Sequence, residues 1–268
     1  MSALAARSRF VDAGGLRLRV LSFGSEGPDV LILPGITTPA AVFDFIAEPL
    51  SDGHAVHVMD LRGRGESGVP AEPAYSLEDY ARDAAVVIDE LGLSDAVVVG
   101  HSLGARIAAA LAVAEPERRL ALVLVDPPLS GPGREPYPIP LAFYIDAIRD
   151  ARAGGDIGRL RTDHPNWSEV QLQARARWLP TCDEGAVAAT HANFHAEDFV
   201  GLWRRLPAPL LIVGAESPVV PPAAVAELCA LNPRAGVSVV AGAGHMVAWD
   251  QPQRFLTALR VAIAQVRK

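Results

Sequence analysis

Residues 96–108 read AVVVGHSLGARIA, an apolar, β-branched run that passes through Gly-His-Ser-Leu-Gly into an alanine-rich segment. The run is typical of a short strand buried on both faces, and the segment after it is typical of a helix. Gly100 and Gly104 flank Ser102, so the pattern G-x-S-x-G stands between a strand and a helix, as a nucleophilic serine requires. The glycines relieve crowding and let Ser102 adopt a strained conformation with its hydroxyl exposed. The stretch predicts such a serine, with a chance Gly/Ser turn as the alternative.

The same alternation of strand and helix extends over most of the chain. A helix is predicted over residues 76–92, because Ser76 can cap its start, Asp79 follows three residues later and Gly92 stands at its end. Further helices are predicted from near residue 102, over 221–232 and from 252 onwards. Buried strands are predicted at DVLIL (29–33), AVHVMD (55–60), LALVLVD (120–126), LLIV (210–213) and GVSVV (236–240). Such runs favour a parallel sheet covered by helices on both faces.

Residues 127–206 do not continue this alternation of strand and helix. They begin with the Pro/Gly-rich stretch PPLSGPGREPYPIP and continue as helical segments rich in Trp, Tyr, Phe and Arg, with no strand pattern. We expect one core domain, formed by residues 1–126 and 207–268, with 127–206 as a helical cap. The cap would lie over the carboxyl edge of the sheet, where open α/β sheets bind ligands.

Composition and charge indicate which kinds of molecule the protein is expected to bind. The formal net charge is −7, which argues against nucleic acid but not against a small anionic substrate. Cys182 and Cys229 show no metal-binding or redox spacing, which favours free thiols in a reducing compartment. The N-terminal MSALAARSRF lacks the apolar core of a signal peptide, and no apolar run reaches membrane-spanning length. We therefore expect a cytoplasmic protein with a small-molecule partner and no membrane; homo-oligomer formation is left open.

A serine nucleophile needs a base, and His245 is the candidate. It stands in the loop VVAGAGHMVAWDQP (239–252), just after the last predicted strand, and two glycines before it reduce steric crowding. That loop returns to the same sheet edge as Ser102, whereas the side chain of His101 is expected to point away from the nucleophile. A solvent-exposed loop histidine is the alternative interpretation.

Two backbone amides are candidates for an oxyanion hole. The amide of Leu103 opens the helix behind Ser102, where the positive end of the helix dipole favours a developing negative charge. The loop LILPGITTP (31–39) offers the amide of Ile36 from the end of another strand. An ordinary Pro-Gly turn would explain this second loop equally well on its own.

Four motifs, in this order and spacing, resemble those of the α/β-hydrolase superfamily: LPGIT (33–37), DLRGRGES (60–67), GHSLGA (100–105) and GAGHMVAWDQP (242–252). The resemblance covers essentially the whole chain. It implies an α/β-hydrolase fold with a mostly parallel eight-stranded sheet, a serine–acid–histidine order along the chain, and no cofactor. One departure is Pro34, where members of the superfamily often have histidine before the loop glycine.

The resemblance also frames the choice of acid. Members of the superfamily often place aspartate in a pattern like G-x-x-D-x-x-x-P after the strand equivalent to LLIV, and counting from Gly214 that position is Ser217. Glu216 stands one residue earlier. Asp126, at the end of LALVLV and before two prolines, is the competitor, and some branches of the superfamily take their acid from this strand. The sequence favours Asp126, with Glu216 as the fallback acid.

The segment LVDPPLSGPGREPYP (124–138), together with DLRGRGES and GHSLGARIA, resembles a branch of deformylases from aerobic nicotinate breakdown whose acid lies at this aspartate. This implies hydrolysis of the N-formyl amide of a small dicarboxylic half-amide, with release of formate. An esterase or enol-lactonase is the alternative enzyme. A ligand receptor without turnover is the alternative from another class, and the presence of Ser102, His245 and a candidate acid counts against it.

An anionic substrate needs a cation or hydrogen-bond donors near its carboxylate. The candidates are Arg134, Arg149, His191, His195 and, among the aromatic residues of the cap, Tyr137. His191 and His195 would share a helix face, close to two acidic residues at 197 and 198. A metal site there is the less favoured interpretation, because spacing sets no third ligand.

Overall fold

Eight strands form one sheet in the computed structural model, which describes residues 6–93, 95–155 and 157–267. Their order across the sheet is β1-β2-β4-β3-β5-β6-β7-β8. The first two strands run antiparallel to their neighbours, and all other pairs are parallel. The bounds are β1 Arg7–Asp12, β2 Arg17–Phe23, β3 Asp29–Leu33, β4 Ala55–Met59, β5 Val97–His101, β6 Ala121–Val125, β7 Leu210–Gly214 and β8 Gly236–Val240. The predicted fold class is confirmed, and the six strands predicted from the sequence are present to within one residue at each end.

Helices cover both faces of this sheet because successive strand residues point to opposite sides. Leu31 and Leu33 of β3 pack in one apolar cluster, with α2, α3 and α9, whereas Val30 and Ile32 pack in the other, with α1 and α11. These helices are α1 Asp44–Leu50, α2 Leu77–Leu91, α3 Leu103–Ala114, α9 Pro222–Leu231 and α11 Pro252–Val266. Every central strand is therefore buried on both faces, as its uninterrupted apolar sequence predicts.

Helix α2 shows how local sequence sets an element. The Ser76 side chain accepts a hydrogen bond from the Asp79 amide, and the Asp79 side chain accepts one from the Ser76 amide. Gly92 ends the helix in the left-handed conformation, at φ 69°. The predicted cap and stop are both confirmed.

Between β6 and β7 the described residues form helices and no strand. The helices are α4 Leu141–Arg152, α5 Ile157–Asp163, α6 Glu169–Trp178, α7 Glu184–Ala196 and α8 Phe199–Arg205. Helix α4 contacts α7 and α5 contacts α6, while α8 contacts α3 and α9 of the sheet's covering layer. The remaining elements are α10 Val247–Asp250 and the 3-10 turns Ala40–Phe43, Pro116–Arg118 and Leu179–Thr181. In the described part of the chain, no helix is both long and apolar enough to cross a membrane.

Candidate active site

Ser102 sits on a sharp turn between β5 and α3. Its backbone has φ 54° and ψ −115°, a conformation that L-residues rarely adopt, and its amide donates a 2.8 Å hydrogen bond to the Val125 carbonyl. A Cβ on Gly104 would lie 1.8 Å from the Leu33 carbonyl oxygen, and one on Gly100 would lie 2.2 Å from the Gly104 carbonyl oxygen. Glycine at 104 therefore lets α3 approach β3, and glycine at 100 leaves room for the first turn of α3 beside β5.

His245 links Ser102 to Asp126. Its Nε2 lies 3.1 Å from Ser102 Oγ, and its Nδ1 lies 2.7 Å from Asp126 Oδ2. A carboxylate accepts hydrogen bonds, so Nδ1 carries a proton and Nε2 of the neutral ring is free to accept the serine proton. The structure therefore brings three residues far apart in the sequence into one hydrogen-bonded series.

Asp126 is completely buried at the end of β6. Its amide donates a 2.9 Å hydrogen bond to Ile212 on β7, and its φ of 47° turns the chain sharply there. The Ser217 hydroxyl donates to Oδ2 at 2.6 Å, and the Gly214 amide donates to Oδ1 at 3.3 Å. Three donors, counting His245, satisfy the carboxylate, which is the pattern a buried negative charge requires.

The fallback acid, Glu216, lies elsewhere. Its side chain is exposed and lines a shallow groove beside the cavity, while its amide donates a 2.9 Å hydrogen bond to the Ala243 carbonyl. The proton of His245 Nδ1 points to Asp126 instead. Ser217 is the residue after β7 that reaches the buried site, and it does so as a donor to that aspartate.

The two candidate oxyanion donors flank Ser102. Ile36 lines the cavity, and a Cβ on its neighbour Gly35 would lie 3.5 Å from Ser102 Cβ. Leu103 is the first residue of α3, where the amides of a helix have no partner within the helix. Arg64, completely buried, donates a 3.0 Å hydrogen bond from Nε to the Ile36 carbonyl and so fixes the orientation of this loop.

Ser102 and His245 open onto a cavity of about 640 Å³, within the range typical of small-molecule sites. Its wall combines the loop 35–38 with residues of α4, α5 and α6, so the helices between β6 and β7 enclose it. The aromatic part of the wall consists of Phe143, Tyr144 and Trp167. The surface of the wall is mostly apolar, but the wall also carries the charged side chains of Asp150, Arg159, Asp163 and Arg175.

His101 lies behind His245. Its Nε2 donates a 3.0 Å hydrogen bond to the His245 carbonyl, and its ring packs against those of Phe43 and Trp249. Burial, and then the nearby His245, lower the pKa of His101 to about 3. The ring is therefore neutral near pH 7, and it fixes the backbone of the residue that approaches Ser102.

Among the residues predicted to bind substrate, Tyr137 interacts with the Ser102 side chain. Its buried hydroxyl lies 2.8 Å from that of Tyr144. Burial and Tyr144 raise the pKa of Tyr137 well above its usual value, and an interaction with the Ser102 hydroxyl opposes that rise. The phenol is therefore protonated and can donate a hydrogen bond near the serine.

The other four predicted substrate-binding residues are engaged away from the cavity wall. Arg134 forms two 2.8 Å hydrogen bonds with Glu227, and Arg149 pairs with Glu184. His191 donates a 2.9 Å hydrogen bond to the carbonyl of residue 139, and His195 is exposed beside it. None of the four lines the cavity, and neither does Tyr137. Over the described residues, no group of three or more His, Cys, Asp or Glu side chains is arranged to hold a metal ion.

Arg175 on α6 is a cavity residue that the sequence analysis did not single out. It is buried, and it donates hydrogen bonds to the carbonyl and, at 2.9 Å, to the hydroxyl of Thr37. Burial lowers its pKa from the usual arginine value. In the sequence EVQLQARARW nothing distinguishes Arg175 from Arg177, which is exposed, because only the packing of α6 decides which of them faces inward.

Comparisons with known proteins agree with this geometry. A model of the alpha/beta hydrolase family matches residues 30–258. N-formylmaleamate deformylase of Pseudomonas putida is 38% identical over 252 residues, which cover 92% of this chain and 93% of that protein. 2-(Acetamidomethylene)succinate hydrolase of Mesorhizobium japonicum is 33% identical over 264 residues, 94% of this chain and 93% of that protein. The crystal structure of N-formylmaleamic acid deformylase from Pseudomonas putida gives a TM-score of 0.88 at 37% identity, covering 94% of this chain and 100% of that one.

Proposed function

Because the chain belongs to the α/β hydrolase family, we propose that it is a serine hydrolase that cleaves the N-formyl amide of N-formylmaleamate to maleamate and formate. The similarity to the deformylase extends over nearly the whole length of both chains. The second relative is named for an acylated nitrogen compound that also bears carboxylates. An amide bond in a small carboxylic acid is therefore the substrate type that both relatives support.

The hydrogen-bonded series Ser102–His245–Asp126, at the wall of an apolar cavity, carries this proposal. In the first half of the reaction, His245 Nε2 takes the Ser102 proton as Oγ attacks the formyl carbon. The amides of Ile36 and Leu103 stabilise the oxyanion. His245 then gives its proton to the amide nitrogen, so that maleamate leaves and a formyl-serine ester remains.

Water completes the reaction. His245 removes a proton from a water molecule, which attacks the formyl ester, and the same proton returns to Ser102 Oγ as formate leaves. Asp126, hydrogen-bonded to His245 Nδ1, orients the ring and stabilises the imidazolium that forms in each half-reaction. The overall balance is one water consumed for each formate and maleamate produced, without a cofactor.

The same proposal divides the chain into a core and a cap. Residues 127–206 act as the cap of a core formed by 1–126 and 207–268, which is supported by the contribution of α4, α5 and α6 to the cavity wall. A cytoplasmic location is supported by two free cysteines, Cys182 and Cys229, since reducing compartments keep thiols unpaired.

The proposal is tested by incubating the purified protein and its Ser102→Ala variant with N-formylmaleamate, and with neutral aryl esters in parallel, and measuring formate and phenol release. We expect formate from the wild type and none above background from the variant. Rapid ester turnover without formate would favour the esterase or lactonase alternative. Binding without turnover of either substrate class would favour a receptor.

A further inference from the structure

Arg175 occupies an unusual place for a cation. It is 8% exposed and contributes to the wall of the cavity onto which Ser102 opens. Its guanidinium donates to the carbonyl and hydroxyl oxygens of Thr37, the residue after Ile36 in the loop beside Ser102. Both acceptors are neutral, so the buried positive charge is hydrogen-bonded but not neutralised.

No carboxylate of the described residues pairs with Arg175. The other arginine of the cavity wall, Arg159, is more than half exposed and pairs with Asp150 and Asp163. Arg64 is buried without a carboxylate too, but its guanidinium has five neutral acceptors and lies outside the cavity wall. Arg175 differs in that its two contacts both go to one residue.

A guanidinium carries five N–H donors in one plane and matches a carboxylate with two parallel hydrogen bonds. Two hydrogen bonds to Thr37 leave donors of Arg175 without a partner among the described residues. A buried cation without a counter-ion is costly, so a ligand that brings a carboxylate to this wall gains a strong interaction.

Helix α6 holds this group firmly in place. Its first turn is closed by a capping box between Ser168 and Gln171, and the buried Gln171 side chain also donates a hydrogen bond to the Trp249 carbonyl. Trp249 belongs to α10, the short helix that begins at Val247, two residues after His245. The helix that carries Arg175 is therefore hydrogen-bonded to the segment that follows His245, the proposed base.

We propose that Arg175 binds the carboxylate of the substrate and selects for anionic acyl compounds. This inference rests on the proposed function only in that the maleamate skeleton supplies the carboxylate. With Arg175 next to the loop of Ile36, the substrate is held at its charged end while Ser102 acts on its formyl group. Arg175 replaces Arg134, Arg149, His191 and His195 in this role.

The test compares Arg175→Gln with Arg177→Gln, a matched change on the exposed face of the same helix. Each variant is assayed with N-formylmaleamate and with a pair of aryl esters: 3-acetoxybenzoate, which is anionic and carries its carboxylate on the leaving group as N-formylmaleamate does, and phenyl butyrate, which is neutral. For Arg175→Gln we expect kcat/KM to fall by about 100-fold on both anionic substrates, mainly through KM. Turnover of the butyrate ester should change by no more than about threefold, and Arg177→Gln should resemble the wild type.

Inhibition gives a second readout. Maleate should inhibit hydrolysis of the butyrate ester competitively in the wild type, and this inhibition should be lost in Arg175→Gln. An equal loss on anionic and neutral esters would overturn the proposal, because it would mean that Arg175 only supports the Thr37 loop. Unchanged kinetics on the anionic ester would overturn it as well. Absence of formate from N-formylmaleamate would instead contradict the deformylase function, while the ester pair still decides the role of Arg175.

Discussion

Ser217 stands where a carboxylate would follow β7, and its hydroxyl donates a 2.6 Å hydrogen bond to Asp126 at the end of the neighbouring strand. Its oxygen also accepts hydrogen bonds from the amides of Val219 and Val220. The hydroxyl is therefore fixed in direction and adds a donor to a carboxylate that has no access to water. The carboxylate that is hydrogen-bonded to His245 thus comes from the end of the neighbouring strand β6, and Ser217 after β7 donates a hydrogen bond to it.

The choice between the two acids gives a prediction at this scale. Asp126→Asn should lower kcat by about 10³- to 10⁴-fold, because an amide cannot hold the required tautomer of His245 or stabilise its charged form. Glu216→Gln, the matched control, should leave kcat within about twofold of the wild type, since Glu216 is exposed. Steady-state formate release measures both. Loss of activity in the control but not in Asp126→Asn would assign the acid to Glu216.

His101 gives a prediction about stability and pH. Its pKa is lowered to about 3 by burial, from an ordinary value of 6.5. An unfolded chain binds this proton below about pH 6.5 and the folded chain does not until about pH 3, so the group destabilises the fold as pH falls between these values. The slope contributed by one proton is about 1.4 kcal/mol per pH unit.

The measurement is urea unfolding of the wild type and His101→Gln at several pH values from 7.5 to 4. Glutamine can keep the hydrogen bond to the His245 carbonyl but has no proton to bind. The free energy of unfolding should therefore fall less steeply below pH 6.5 in the variant. Parallel curves for the two proteins would show that His101 does not stay neutral in the folded state.

At the scale of elements, the turn between β5 and α3 depends on how closely the helix approaches the sheet. A Cβ on Gly104 would meet the Leu33 carbonyl oxygen at 1.8 Å, whereas one on Gly92, at the end of α2, would meet nothing within 4 Å. Gly104→Ala should therefore prevent correct packing of α3 and remove most of the soluble, active protein. Gly92→Ala should cost only about 1 kcal/mol, the strain of a positive φ.

Thermal unfolding and the yield of soluble protein compare these two variants directly. The result expected is a much larger loss for Gly104→Ala. A melting temperature of Gly104→Ala within a few degrees of that of Gly92→Ala would mean that α3 can shift away from β3 at little cost.

How far the elements could be predicted depends on burial. The central strands are continuous apolar runs that are easily recognised in the sequence, as at 29–33 and 121–125. Strands β1 and β2 were not identified: five of the six residues of β1 are exposed, and β2 is buried but its apolar run is interrupted by Arg19. Ser102 and His245, whose side chains lie 3.1 Å apart in the structure, could be singled out as candidates because each stands in a local motif. Arg175 was missed because its partner, Thr37, is 138 residues away along the chain.

Over the whole molecule, the helices between β6 and β7 are connected to the site through buried arginines. Arg64 donates to the Ile36 carbonyl and, at 3.0 Å, to the hydroxyl of Thr190 on α7. Arg175 joins α6 to Thr37 in the same loop. A chain with a net charge of −7 thereby places a buried cation in the wall of the cavity onto which Ser102 opens. The apolar cavity and this charge together suit a small acyl compound with one charged end.

The most direct test of the account identifies both products formed from N-formylmaleamate. The nitrogen of this substrate carries two acyl groups, so hydrolysis can break either of two C–N bonds. Attack by Ser102 on the formyl carbon gives formate and maleamate in equal amounts, whereas attack on the other carbonyl gives maleate and formamide. Proton NMR of the reaction mixture distinguishes the two. We predict formate and maleamate in a one-to-one ratio with the wild type and neither with Ser102→Ala; maleate and formamide, or products undiminished in the variant, would contradict the account.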